Sequence, residues 1–220
     1  MIEDKQKLQL SPGKRILILG PSGCGKSSLL KHIAGFDSGI PVEAPQSASA
    51  ALLMQNPFYQ IIMQDVREEL SFPQKNAAVP PREAEANITG VTEILGIRRL
   101  LDREVATLSF GEVQLVMIAA TFLTPADAYL LDEPSSHLDP PLIAALHRLA
   151  QNYAEKGKCI CISSQIADEY RCCDEVWLME RGAVKEVLSR EAFHRERLKR
   201  GILTEGDLIR RRLRELGGTQ

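Results

Sequence analysis

The chain has 220 residues, 44% of them apolar and 25% charged, with a formal net charge of −2. This length and balance describe one large α/β domain, or a domain with a small appendage, that buries its core without metals or disulfides; nothing in the overall charge points to a nucleic-acid coat. No apolar run approaches the roughly 20 residues that cross a bilayer, and the opening MIEDKQKLQL is too polar for a signal peptide, so any membrane role is expected to come through a partner.

Residues 15–19 (RILIL) form a short apolar run that ends in glycine, the pattern of a buried parallel strand. A helix is expected over 27–34 (SSLLKHIA), with Gly35 as its stop. Residues 38–49 are rich in Pro, Ser, Ala and Gly and read as irregular. A second strand is expected at 50–54. After the breaker Pro80-Pro81 a helical stretch runs to about 101, and 112–122 form a strongly apolar helix. Residues 128–131 and 159–163 (CICIS) read as further buried strands. Residues 176–179 and 183–187 flank Gly182 as a hairpin. Strands alternating with helices predict an α/β fold with a mainly parallel sheet. Cys159 and Cys161 alternate along one strand face, and with Cys24, Cys172 and Cys173 they make no metal-ligand spacing.

Two motifs carry chemistry. Gly20-Pro21-Ser22-Gly23-Cys24-Gly25-Lys26-Ser27 fits G-x-x-x-x-G-K-[ST] between an expected strand and an expected helix. Glycines let backbone N–H groups converge on phosphate oxygens, and the helix N-terminus adds its dipole. Lys26 is placed to reach the β- and γ-phosphates and Ser27 to ligate Mg²⁺, with Ser28 beside it. Residues 129–134 (YLLDEP) form an apolar strand ending in two carboxylates. Asp132 is expected to hold Mg²⁺ through water, and Glu133 to polarise the attacking water as general base. Together they describe one site for nucleotide phosphates and Mg²⁺.

With these motifs the sequence resembles ATP-binding cassette (ABC) ATPases over nearly its whole length. Leu108-Ser109-Phe110-Gly111-Glu112 is similar to the family signature, usually Leu-Ser-Gly-Gly-Gln, and ends twenty residues before Asp132. Residues 135–139 (SSHLD) resemble the D-loop. Gln55 stands at the position of the Q-loop glutamine, which in the family contacts Mg²⁺ and water and reports to the membrane partner. The resemblance implies a P-loop NTPase fold of RecA-like type over 1–190, with a helical subdomain at about 65–122; the short stretch between Gly35 and Gln55 implies a reduced antiparallel β-subdomain, and the residue pattern of 191–220 a helical tail. It also implies that two subunits sandwich two ATPs, with Ser109 and Gly111 facing the partner's nucleotide. Ser109 also reads as a plain helix N-cap. Residues 55–61 (QNPFYQI) and 66–72 (VREELSF) resemble the Q-loop region of energy-coupling factor transporters, which take up vitamins, cobalt or nickel.

Three departures stand out. Ser163-Ser164-Gln165 occupies the switch position, where the family has a histidine on the γ-phosphate; Gln165 can donate a hydrogen bond but carries no proton or charge. Phe110 replaces a signature glycine and Leu115 a usual arginine. Only nineteen residues precede Gly20, so the family's first strand and adenine-stacking aromatic are expected to be missing. His32, His137, His147 and His194 form no constellation, and Trp177 is expected to pack in the hairpin. In the tail, Thr204-x-x-Asp207 resembles a capping pair, and Ile209, Leu213 and Leu216 share a face among four arginines. A docked amphipathic helix, a dimer contact and a contact with anionic lipid all fit. Nucleic acid does not, because no aromatics interleave with the arginines.

The expectation is an ATP-binding and ATP-hydrolysing subunit of a membrane transporter, an importer of the energy-coupling factor type. It would lie on the cytoplasmic inner face of the cell membrane, dock on integral membrane subunits and pair with a second ABC ATPase. The alternative is a soluble ABC protein acting on DNA or ribosomes.

Overall fold

A computed structural model describes residues 8–36, 49–202 and 204. The order is β1 (Arg15–Leu19), α1 (Lys26–Ile33), β2 (Ala50–Leu53), α2 (Val66–Asn76), α3 (Pro81–Leu95), α4 (Phe110–Leu123), β3 (Ala128–Asp132), α5 (Pro140–Glu155), β4 (Cys159–Ser164), β5 (Glu175–Glu180), β6 (Ala183–Ser189) and α6 (Arg190–Glu196). The strands form one sheet in the order β2-β3-β4-β1-β5-β6. All pairs are parallel except the terminal β5–β6 hairpin. This is the expected mainly parallel P-loop fold with one antiparallel pair.

β1 to β4 are short apolar runs because both faces of that part of the sheet are covered. Leu17, Tyr129, Leu131, Ile160 and Ile162 face the cluster that contains α4 and α5 residues. Their neighbours in sequence, Ile16, Ile18, Leu130, Cys159 and Cys161, face Leu29, Leu30 and Ile33 of α1. The alternating cysteines are thus small apolar residues under α1. Trp177 is fully buried in the hairpin.

The helical region differs from expectation at its ends. α3 stops at Leu95, where Gly96 takes the left-handed backbone (φ 68°) that closes a helix, and a short 3-10 turn, Arg98–Leu100, follows. α4 begins two residues early, at Phe110, and eleven of its fourteen residues are buried between the sheet and the packed helices α2 and α3. Residues 37–48 and 205–220, which hold most of the irregular stretch and of the arginine-rich tail, lie outside the described residues, as do residues 1–7.

Candidate nucleotide site

The loop after β1 is shaped by its glycines. Gly23 and Gly25 take left-handed backbone, φ 75° and 102°. A Cβ on Gly20 would lie 2.4 Å from the Met179 carbonyl oxygen and 2.7 Å from Cys24 Sγ, so only glycine fits beneath the loop. Cys24 is buried, and its carbonyl accepts from Gly182 N at 2.8 Å, which ties the loop to the β5–β6 turn. α1 starts with no side-chain cap and no acid in its first turn. Its leading N–H groups therefore keep no intrahelical partner and suit an anion. Ser27 and Ser28 occupy its first turn. Lys26 is only 5% exposed, and its Nζ donates to the carbonyls of Gly20 (2.9 Å) and Pro21 (3.2 Å).

At the end of β3, Asp132 is buried and accepts from Ser163 Oγ at 2.6 Å; the same oxygen accepts from Glu133 N at 3.0 Å. Glu133 has φ 48°, a left-handed conformation uncommon for a side-chain-bearing residue. Its carboxylate collects three donors. Lys26 Nζ lies 3.4 Å from Oε1, Gln165 Nε2 donates to Oε1 at 2.9 Å, and Gln55 Nε2 donates to Oε2 at 3.4 Å. Four candidate residues, 26, 55, 133 and 165, thus meet around one carboxylate. Its two oxygens thus serve as acceptors for one cation and two amides.

The signature residues lie apart from that carboxylate. Ser109 caps α4 in a capping box: its Oγ accepts from Glu112 N at 3.3 Å, and Glu112 Oε2 accepts from Ser109 N at 3.1 Å. The backbone hydrogen bond from Ser109, with Arg103 and Arg99 alongside, draws the Glu112 carboxyl below its usual range. Gly111 packs near the D-loop, with His137 O 3.6 Å from where its Cβ would stand.

Several supporting residues escape the sequence reading. Ser163 bridges Asp132 and Glu133. Gln114, fully buried, donates to Pro134 O at 3.2 Å; its signal is an amide inside an otherwise apolar helix. Glu169 is buried and accepts from Ser135 Oγ, joining the D-loop to the segment after Gln165; burial pushes its carboxyl above the usual range, against the pull of Ser135 and Ser164. Gln60 ties the turn after Gln55 to β2, donating to Leu52 O at 2.8 Å and accepting from Met54 N at 2.7 Å.

A glycine loop between β1 and an uncapped helix, with a cation inside it and carboxylates at the end of the neighbouring strand, defines a P-loop nucleotide-binding protein. The family model described as ABC transporter matches residues 4–136. An ABC transporter ATP-binding protein of Listeria monocytogenes is 32% identical over 80% of this chain and 72% of its own length. The maltose/maltodextrin import ATP-binding protein MalK of Mannheimia succiniciproducens is 30% identical over 82% of this chain, which spans only 52% of that protein. The structure of cbiO1 from Clostridium perfringens, part of the ABC transporter complex cbiONQ, superposes with a TM-score of 0.69 at 25% identity, covering 89% of this chain and 85% of that one. The chain belongs to the ABC transporter ATP-binding family, whose cassettes are ATPases.

Proposed function

We propose that this chain is the ATP-hydrolysing subunit of an ABC importer of the energy-coupling factor type, working as a dimer with a second ATPase. The observation that carries the reading is the convergence of Lys26, Gln55 and Gln165 on Glu133 at the mouth of the glycine loop. The backbone donors of 20–28 and the Lys26 ammonium would hold the phosphates. Ser27, Asp132 and Gln55 present oxygen ligands, the donor set that suits Mg²⁺; bound there, the ion supplies positive charge to the β- and γ-phosphates. Glu133, held by Gln165 and Gln55, would orient a water for attack and draw its proton. Ser109 and Gly111 would serve the partner's nucleotide. No helix among the described residues is long and apolar enough to cross a membrane; we assign the chain a peripheral place on the inner membrane face, held by integral subunits. The import named for MalK and the complex named for cbiO1 support that reading.

Lys26→Ala should abolish MgATP binding, read by titration with a fluorescent ATP analogue, with far-UV circular dichroism unchanged. Glu133→Gln should bind MgATP and hydrolyse none. Unchanged affinity in Lys26→Ala would remove the P-loop reading. Co-purification from membranes, with identification of the integral partners, tests the importer type.

A further inference from the structure

Phe110 stands where the related signature has glycine, and its ring is engaged inside the chain. Its centroid lies 5.6 Å from that of Phe58, tilted by 52°, and 4.8 Å from the His137 imidazole, edge-on at 74°. Both arrangements fall in the attractive range for ring pairs. The three rings come from three segments: Phe58 from the turn after Gln55, Phe110 from the start of α4, and His137 from the D-loop. Phe58 is 47% exposed and Phe110 40%, so the cluster adds little to the buried core.

Two of the three segments, the turn and the D-loop, also carry a tether into the nucleotide site. The Phe58 turn follows Gln55, which donates to Glu133, and Gln60 pins that turn to β2. In the D-loop, the Oγ and the N of Ser136 both donate to Glu133 O, at 2.7 and 3.1 Å, and Leu138 N donates to Ser135 O. His137 holds left-handed backbone, φ 69°, a conformation histidine adopts more readily than most residues. Glycine at 110 would remove both ring contacts and leave α4 joined to the D-loop region by the Gln114 hydrogen bond to Pro134 O.

We propose that Phe110 is a positioning residue: through its ring contacts with Phe58 and His137 it clamps the start of α4 to the turn after Gln55 and to the D-loop, so that the three segments shift as one. The ring contacts lie wholly within the chain; only their consequence, coordinated movement of the groups around Glu133, rests on the ATPase reading.

Hydrogen exchange with mass spectrometry on the nucleotide-free full chain tests it. Phe110→Leu keeps apolar bulk and removes the ring; it should speed exchange several-fold at amides 58–61 and 136–138. Phe110→Tyr should restore the wild-type pattern, and α1 should be unaffected in both. Phe58→Leu, substituted at the other end of the cluster, should also speed exchange at 136–138 by acting through Phe110. Faster exchange confined to the neighbours of each substituted residue, or no rescue by tyrosine, overturns the proposal. Because no nucleotide is present, that outcome is independent of whether the chain binds or hydrolyses ATP.

Discussion

The Ser163 hydroxyl serves two neighbours at once, donating to Asp132 and accepting from the Glu133 amide. Both lie on the carboxylate pair proposed to manage Mg²⁺ and water, and Ser163 is fully buried, so water cannot replace the lost donor easily. Ser163→Ala should cost about 1–3 kcal/mol in urea unfolding and lower ATPase turnover about tenfold. Unchanged stability and turnover would show that Asp132 is held by other groups. His147 offers a pH test. Burial, with the nearby Arg15 guanidinium, pushes its imidazole down to about 4, and its Nε2 has no partner. A depressed histidine is neutral when folded and takes a proton on unfolding. Its stabilising contribution is therefore complete above about pH 6.5 and is lost as pH falls toward 4. Wild type should lose about 2 kcal/mol more than His147→Leu between pH 7 and pH 5, measured by urea titration at both. Parallel losses in the two proteins would place the acid sensitivity elsewhere.

At the scale of elements, β1 to β4 were legible as apolar runs, because a strand covered on both faces needs no polar alternation, and β5–β6 as a hairpin around Gly182. α5 was not. It opens with Asp139-Pro140-Pro141, which reads as a chain breaker, yet proline is well suited to the first helical positions; its buried stripe of Ala145, Leu146, Leu149, Ala150 and Ala154 carries the helical period. The loop lysine and the carboxylates were legible as motifs. Their supports were not, because Ser163–Asp132 and Ser135–Glu169 join residues 31 and 34 apart, and nothing local marks either pair. The segment after Gln55 shows a similar division. Phe58, Ile61 and Ile62 are all apolar, but Phe58 turns to Phe110 and Ile61 packs on the core, while Ile62 is exposed and lines a groove of about 370 Å³ with Phe72, Pro73 and Met117. Glu69 fixes that edge by accepting from Ile62 N and Met63 N at 3.0 and 2.7 Å. Under the proposed function, this groove is the surface we assign to the integral partner. Ile62→Asp should release the subunit from membranes while MgATP affinity stays within about twofold; a variant that stays membrane-bound would move the docking surface elsewhere.

For the whole molecule the decisive matter is the pairing of two cassettes. In a symmetric dimer, each composite site would combine Gln165 of one chain with the Phe110-bearing signature of the other. Gln165 donates to Glu133 rather than carrying charge toward a phosphate, and Ser109 already gives its Oγ and N to the capping box. Each site would thus be weakened from both sides. Loss of one preorganised donor costs about 2.7–4 kcal/mol of barrier, or roughly 10²–10³ in rate. Yet Lys26, Asp132 and Glu133 are intact and joined by hydrogen bonds and an ion pair, so the chain retains the machinery for its own site. A partner ATPase with an unmodified signature would complete that site and leave Gln165 as its only departure. The isolated chain should therefore bind MgATP and hydrolyse it slowly, and a second, more complete ATPase should raise the rate about a hundredfold, the worth of one such donor. Steady-state ATPase assays on the purified chain, alone and with the second subunit, with Glu133→Gln as background, measure this. Rapid, Glu133-dependent turnover by the isolated chain would sink the asymmetric pair and make Gln165, through its amide on Glu133, a competent substitute for histidine.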